Sequence, residues 1–225
     1  MSIRPIQNSV QRPLAAGPEI LLGELSGLFR QLGSADAAAQ TGPANALAHP
    51  PQIDTVSALK TFLENYQTRI LLPLELPAIA RACAHAARGE TKELISFDQQ
   101  LAAQPAWTAF ANASQRVGRL QLQRLRPLRD QRVVQRYLAA VEANQAQAWH
   151  TIVYGLTLAI YSLPLRQGLL NYAEQTLSGF AETAARAHHF PEAACREILE
   201  KLFTKLPEAI ETVLAGSEPW QLAVP

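Results

Sequence analysis

Cys83 and His85 are the first pair in the chain whose side chains could bind a metal. Their spacing works against it, because positions i and i+2 of a helix face diverging directions. His188, His189 and Cys195 form a second candidate group. Adjacent histidines point apart on a helix, and ahead of Pro191 this pair is expected in a loop. A zinc or nickel site needs several donors at compatible spacing, so neither group is expected to bind metal. His150, beside Trp149, could serve as a general base only with a nucleophile or carboxylate close by; otherwise it is a core histidine that caps or pairs with a neighbour. Neither G-x-x-x-x-G-K-[ST] nor G-x-G-x-x-G occurs, which leaves no sequence grounds for nucleotide binding. No catalytic residue, metal ligand or cofactor is expected.

Arginine is the residue type that clusters. Arg116, Arg119, Arg124, Arg126, Arg129, Arg132 and Arg136 lie in a stretch where Asp130 is the only acid between Asp98 and Glu142. Two readings are open: a solvated helical face, or a surface that meets an acidic protein partner. Arg119 and Arg126, seven residues apart, are expected to share one helical face. Nucleic acid is not an expected partner, because the net charge is +1 and no aromatics interleave the arginines.

The elements that must carry these residues read as helices. Residues 149–165, "WHTIVYGLTLAIYSLPL", hold no acidic residue, Lys or Arg. A membrane span needs roughly 20 mostly apolar residues, and this run contains His150, Thr151, Gly155, Thr157 and two tyrosines before Pro164 stops it. An all-round apolar helix outside lipid is enclosed by protein, so 149–165 is expected to be the spine of the fold. No other span is expected. The first 17 residues carry no apolar signal region, and the two cysteines have no paired spacing, which fits a soluble cytoplasmic chain.

Around the spine, Pro18-Glu19 opens a helix through Ile20, Leu21, Leu25, Leu28, Phe29 and Leu32 to Gly33, and residues 34–52 read as a loop. Asp54 or Thr55 caps a helix with Val56, Leu59, Phe62, Leu63, Tyr66 and Ile70 inward. The segment Leu71–Pro77 breaks it and starts another helix, which ends at Gly89. Thr91 caps a short helix through Leu101. Trp107, Phe110, Val117, Leu120 and Leu122 lead a longer one to Pro127, and residues 128–147 form one helix or two halves. Leu165 to about Ala187 partners the spine. Pro191 and Pro207 open the last two helices, the final one ending near Gly216. No strand signal appears. The expected architecture is all-α, a single domain of about eight to ten helices over residues 18–216, with a flexible segment 1–17 and a tail 217–225.

Several segments together resemble the urease accessory protein UreF family. "HTIVYGLTLAIYSLPLRQGLLNYAEQTLSGFAETAARA" is similar to that family's pair of helices joined by a Leu-Pro-Leu break. In that register Gly155, Pro164 and Arg186 fall on the family's Gly, Pro and Arg. "ASQRVGRLQLQRL" is similar to its Ser-x-x-x-Gly-Arg helix, matching Ser114, Gly118 and Arg119. "LLPLELPAIARACAHAARGE" is similar to the helix that the family ends with Ala-x-x-Gly-Asp. The resemblance covers residues 55 to 215. Two departures mark a divergent member. The family's Gly-Gly-Phe-x-x-Ser-x-Gly-Leu-Glu segment is replaced by Leu21 to Gln40, and its Leu-Gly-Gln after the arginine by Phe190-Pro191-Glu192.

The resemblance implies a non-enzymatic helical scaffold that joins UreD (also called UreH) to the GTPase UreG and delivers nickel to apo-urease. A homodimer is left open. Arg116, Arg119, Arg126, Arg186 and Trp220, the last in the tail "SEPWQLAVP" with Leu222, are the expected partner-binding residues. The competing reading is an all-α small-molecule binder or enzyme, with a pocket beside 149–165 that uses His150, Tyr154 and Tyr161.

Overall fold

Thr55 opens the first described helix: its Oγ1 accepts the Ala58 N–H at 3.1 Å, which satisfies one of the unpaired donors of the first turn. The computed structural model describes residues 53–103 and 111–216. The helix and loop expected over 18–52, the residues Trp107 and Phe110, and the tail with Trp220 and Leu222 lie outside them.

Helix α1, Val56–Tyr66, buries Leu59, Phe62, Leu63 and Tyr66. The expected break at Leu71–Pro77 does not occur. The chain continues as a π-helical segment, Gln67–Glu75, directly into α2, Leu76–Ala87. Pro73 sits inside the π segment. In an α-helix its ring would press on the carbonyl four residues back and it could donate no hydrogen bond. The wider i→i+5 winding relieves the clash, though the missing donor remains, so the proline changes the winding rather than ending the helix. The run Val56–Ala87 is 32 residues, long and apolar enough to cross a membrane by length and composition alone. That second candidate was not expected. More than half of its apolar window is buried inside the protein, as a core helix would be.

Gly89 closes α2 in the left-handed region, φ 68°, where a side chain is costly. Helix α3, Thr91–Ala103, follows. Thr91 is its first helical residue rather than its cap, and the buried Oγ1 finds no hydrogen-bond partner. Helix α4, Ala111–Leu125, and helix α5, Arg132–Glu142, flank the Pro127 turn, so 128–147 contributes one short helix rather than two. Helix α6, His150–Ile160, is the spine, with His150 through Leu158 all buried. It packs chiefly on α2 and then on α4. Helix α7, Leu165–His188, lies against α2, α8 (Glu192–Phe203) and α9 (Leu206–Ala215). No strand occurs among the described residues.

Close packing of the spine rests on missing side chains. A Cβ on Gly155 would lie 2.5 Å from the Ile79 carbonyl oxygen and 2.8 Å from the Ala82 Cβ. α6 and α2 therefore touch backbone to backbone at that point. A Cβ on Gly118 would collide with the Ala148 carbonyl, which places α4 equally close to the entry of α6.

Asp98 fixes that entry. Its buried carboxylate accepts the Tyr137 hydroxyl at 2.6 Å and the N–H groups of Gln147 and Ala148 at 2.6 and 3.1 Å. The Trp149 indole donates to the Asp98 carbonyl at 3.2 Å. Ala148 is held at φ 60°, a conformation that an alanine adopts only when its surroundings impose it.

Candidate functional site

The inward positions of α4 are Ser114, Val117, Gly118, Gln121, Leu122 and Leu125, spaced at three and four as one face of a helix requires. Ser114 Oγ accepts the His150 N–H at 3.1 Å, and Gly118 admits the Ala148 backbone. Two residues of the Ser-x-x-x-Gly-Arg pattern thus seat α4 on the spine, while the third, Arg119, turns outward.

The outward face carries Arg116, Arg119, Leu120, Gln123 and Arg124. Leu120, expected with the apolar residues that lead the helix, is 60% exposed. It lies in a depression of about 360 Å³ lined, among the described residues, by Gln115, Arg116, Arg119, Leu120 and Gln123. Sequence spacing could not place it, because Leu120 follows Val117 by three while the polar Gln121 and the Gly118 take the inward positions beside it. No acidic side chain among the described residues pairs with Arg119, Arg124, Arg129, Arg132 or Arg136, all of them exposed.

Arg126 behaves differently from the expectation. It lies one residue past the end of α4, so it does not continue the Arg119 face as a helical residue. Its guanidinium pairs with Glu142 and donates to Gln123 Oε1 at 2.8 Å, which ties α4 to the end of α5. Arg186 is exposed on the last turn of α7 and donates to the Glu182 carbonyl at 3.4 Å. It does not line the α4 depression.

The remaining chemical candidates do not converge. Cys83 is buried, and burial pushes its thiol pKa up. His85 turns instead to Glu90, at 2.8 Å, which Arg88 also engages. His188 ends α7, exposed and stacked on Phe190, and His189 follows at φ 54°. Cys195 is buried. No group of three or more His, Cys, Asp or Glu among the described residues could hold a metal ion. His150 and Tyr154 are enclosed with ring centroids 6.3 Å apart. Tyr161 is exposed beyond the far end of α6, about three turns away, so the three residues of the pocket reading do not meet.

Sequence reasoning missed the buried acids. Glu75, 3% exposed, accepts the Tyr66 hydroxyl at 2.6 Å and a second hydrogen bond from Tyr172. Burial pushes its carboxyl up to about 7, against the opposing pull of the two phenols. Burial also raises Asp98, which hydrogen bonds from the Tyr137 hydroxyl and the backbone of Gln147, Trp149 and Ala148 partly offset. Nothing in the local sequence distinguishes these carboxylates from surface ones.

An all-helical framework with no assembled catalytic or metal centre among its described residues, and a cationic outer face on α4, is the geometry with which the known proteins can be compared. No curated protein matches the chain. The model of the UreF family matches residues 53–203, two thirds of the sequence, from the first turn before α1 to the end of α8, and the chain belongs to the UreF family of urease accessory proteins.

Proposed function

We propose that this protein is a non-enzymatic scaffold that joins a UreD-like (UreH-like) protein to a UreG-like GTPase during nickel insertion into apo-urease. Membership of the UreF family over residues 53–203 is the observation that carries this reading. Nickel is cargo in such a complex, and the phosphate chemistry belongs to the GTPase. The chain contributes rigid helical faces, which suits a fold whose buried polar groups are spent on holding its own helices together. The site of action is the cytoplasm, and a homodimer would present each face twice.

The test is reconstitution. Purified protein mixed with UreD-like and UreG-like proteins from the same source should yield a stable complex on size-exclusion chromatography. It should also raise nickel-dependent activation of apo-urease above the level reached without it. Failure to form any complex with either protein would overturn the reading.

A further inference from the structure

Arg116, Leu120 and Arg124 follow one another at i, i+4 and i+8, so they form a row along α4. Gln115, Arg119 and Gln123 form the adjacent row. With a rise of about 1.5 Å per residue, the two outer guanidinium groups of the first row are rooted about 12 Å apart, with the leucine midway. A solvated arginine face has no use for a leucine at its centre. Leu120 and Tyr161 are the large hydrophobic side chains exposed among the described residues, and Leu120 is the more exposed. The depression around it is about 360 Å³, ample for an apolar side chain of a partner and its neighbours.

Charge selects the occupant. Arg119 and Arg124 have no acidic partner among the described residues, and no acid occurs between Asp98 and Asp130. Guanidinium groups match carboxylates in paired hydrogen bonds, and they gain most where a neighbouring apolar contact excludes water. Nucleic acid fits less well: its phosphates would leave Leu120 unused, and the chain's net charge is only +1.

We propose that the outer face of α4, formed by Arg119, Leu120, Gln123 and Arg124, docks an acidic amphipathic helix of one protein partner. An apolar side chain of that helix seats on Leu120, with its carboxylates facing Arg119 and Arg124. This rests on the scaffold reading and names the chemistry of one of its contacts. A stable interface buries about 1,200–2,000 Å² in total, so the partner extends beyond the depression, and Leu120 acts as its central anchor.

The test uses the full chain with the purified UreD-like and UreG-like proteins as separate probes. Leu120→Ser should weaken binding of one of them by about tenfold or more. Its effect should be similar at about 50 and about 300 mM salt, because the lost contact is apolar. Arg119→Glu combined with Arg124→Glu should weaken the same partner, steeply at low salt and less at high salt. Helix content and Tm should stay at wild-type values in both variants. If the charge reversal lowers Tm, Leu120→Ser alone decides, since most of the side chain it removes is exposed. Wild-type affinity of the folded variants for both partners would overturn the docking proposal and leave the scaffold reading standing. With RNA as a third probe, binding that the wild type shows and the variants lose, while partner binding stays intact, would overturn it in favour of nucleic acid. A wild-type protein that binds neither partner would overturn the scaffold reading, and the docking proposal with it.

Discussion

Glu75 holds its proton more tightly in the folded protein than in the unfolded chain, because burial disfavours the carboxylate more than the Tyr66 and Tyr172 hydroxyls favour it. The sign of the linkage follows. Its contribution to stability is fully present below the ordinary carboxyl pKa of about 4.5 and is lost as pH rises through about 7. The loss amounts to about 3 kcal/mol over that window. Urea unfolding of the wild type between pH 5 and 8 should show this decline, and Glu75→Gln should flatten it by removing the charge while keeping an acceptor for the phenols. An unchanged slope in the variant would mean that Glu75 does not titrate there. The residue was invisible as a special group in the sequence, since a glutamate beside Pro73 and Pro77 reads as a polar break in a helix. Its enclosure comes from α1 and α7, which bring Tyr66 and Tyr172 to it from positions 9 and 97 residues away.

At the scale of elements, the spine was the most legible part. Residues 149–165 lack charge, end in proline and contain a glycine, and α6 is buried on every side with Gly155 against the α2 backbone. Gly155→Leu should overpack that contact and cost about 1–3 kcal/mol or more, read as a fall in Tm. An unchanged Tm would mean that the helices separate there without penalty. The boundaries of α7, α8 and α9 were legible for a related reason, since Pro164, Pro191 and Pro207 each stand where a helix begins. Pro73 was misread by the same rule. A proline in a helix interior disrupts the α winding around it, but the sequence does not say whether the chain leaves the helix or widens it, and here the burial of Ile70, Leu71 and Glu75 favours widening. Leu120 was misread because a helical stripe drawn from apolar residues alone overlooks Gly118 and Gln121, which face inward to meet Ala148 and the core.

At the scale of the whole molecule, the family was readable from the small and polar residues that let helices meet, rather than from any chemical fingerprint. Ser114 and Gly118 seat α4, Gly155 seats α6, and the family match spans the elements that they join. What could not be read was the assignment of arginines to roles. Arg126 looks like Arg119 in sequence, yet it bridges to Glu142 while Arg119 has no such partner among the described residues. Only the tertiary placement of α5 separates them. The working surface of such a protein is what remains after its own helices have used the rest, and on α4 that remainder is cationic with one apolar centre.

The π-helical stretch between α1 and α2 also gives the chain slack in length. Each i→i+5 turn holds one residue more than an α turn, so Gln67–Glu75 spends extra sequence on a path that a tighter helix could cover. Removing one exposed residue there, Thr68 or Arg69, would let the turn tighten while α1 and α2 keep their inward faces toward the core. α6 has no such reserve, because its residues from His150 to Leu158 are all enclosed and any loss turns the following ones onto the wrong neighbour. Single-residue deletion scanning should therefore find folded protein for deletion of Thr68 or Arg69 and none for deletions in 152–157. The same reserve makes this junction the place where related chains could gain or lose a residue without redrawing the rest of the fold.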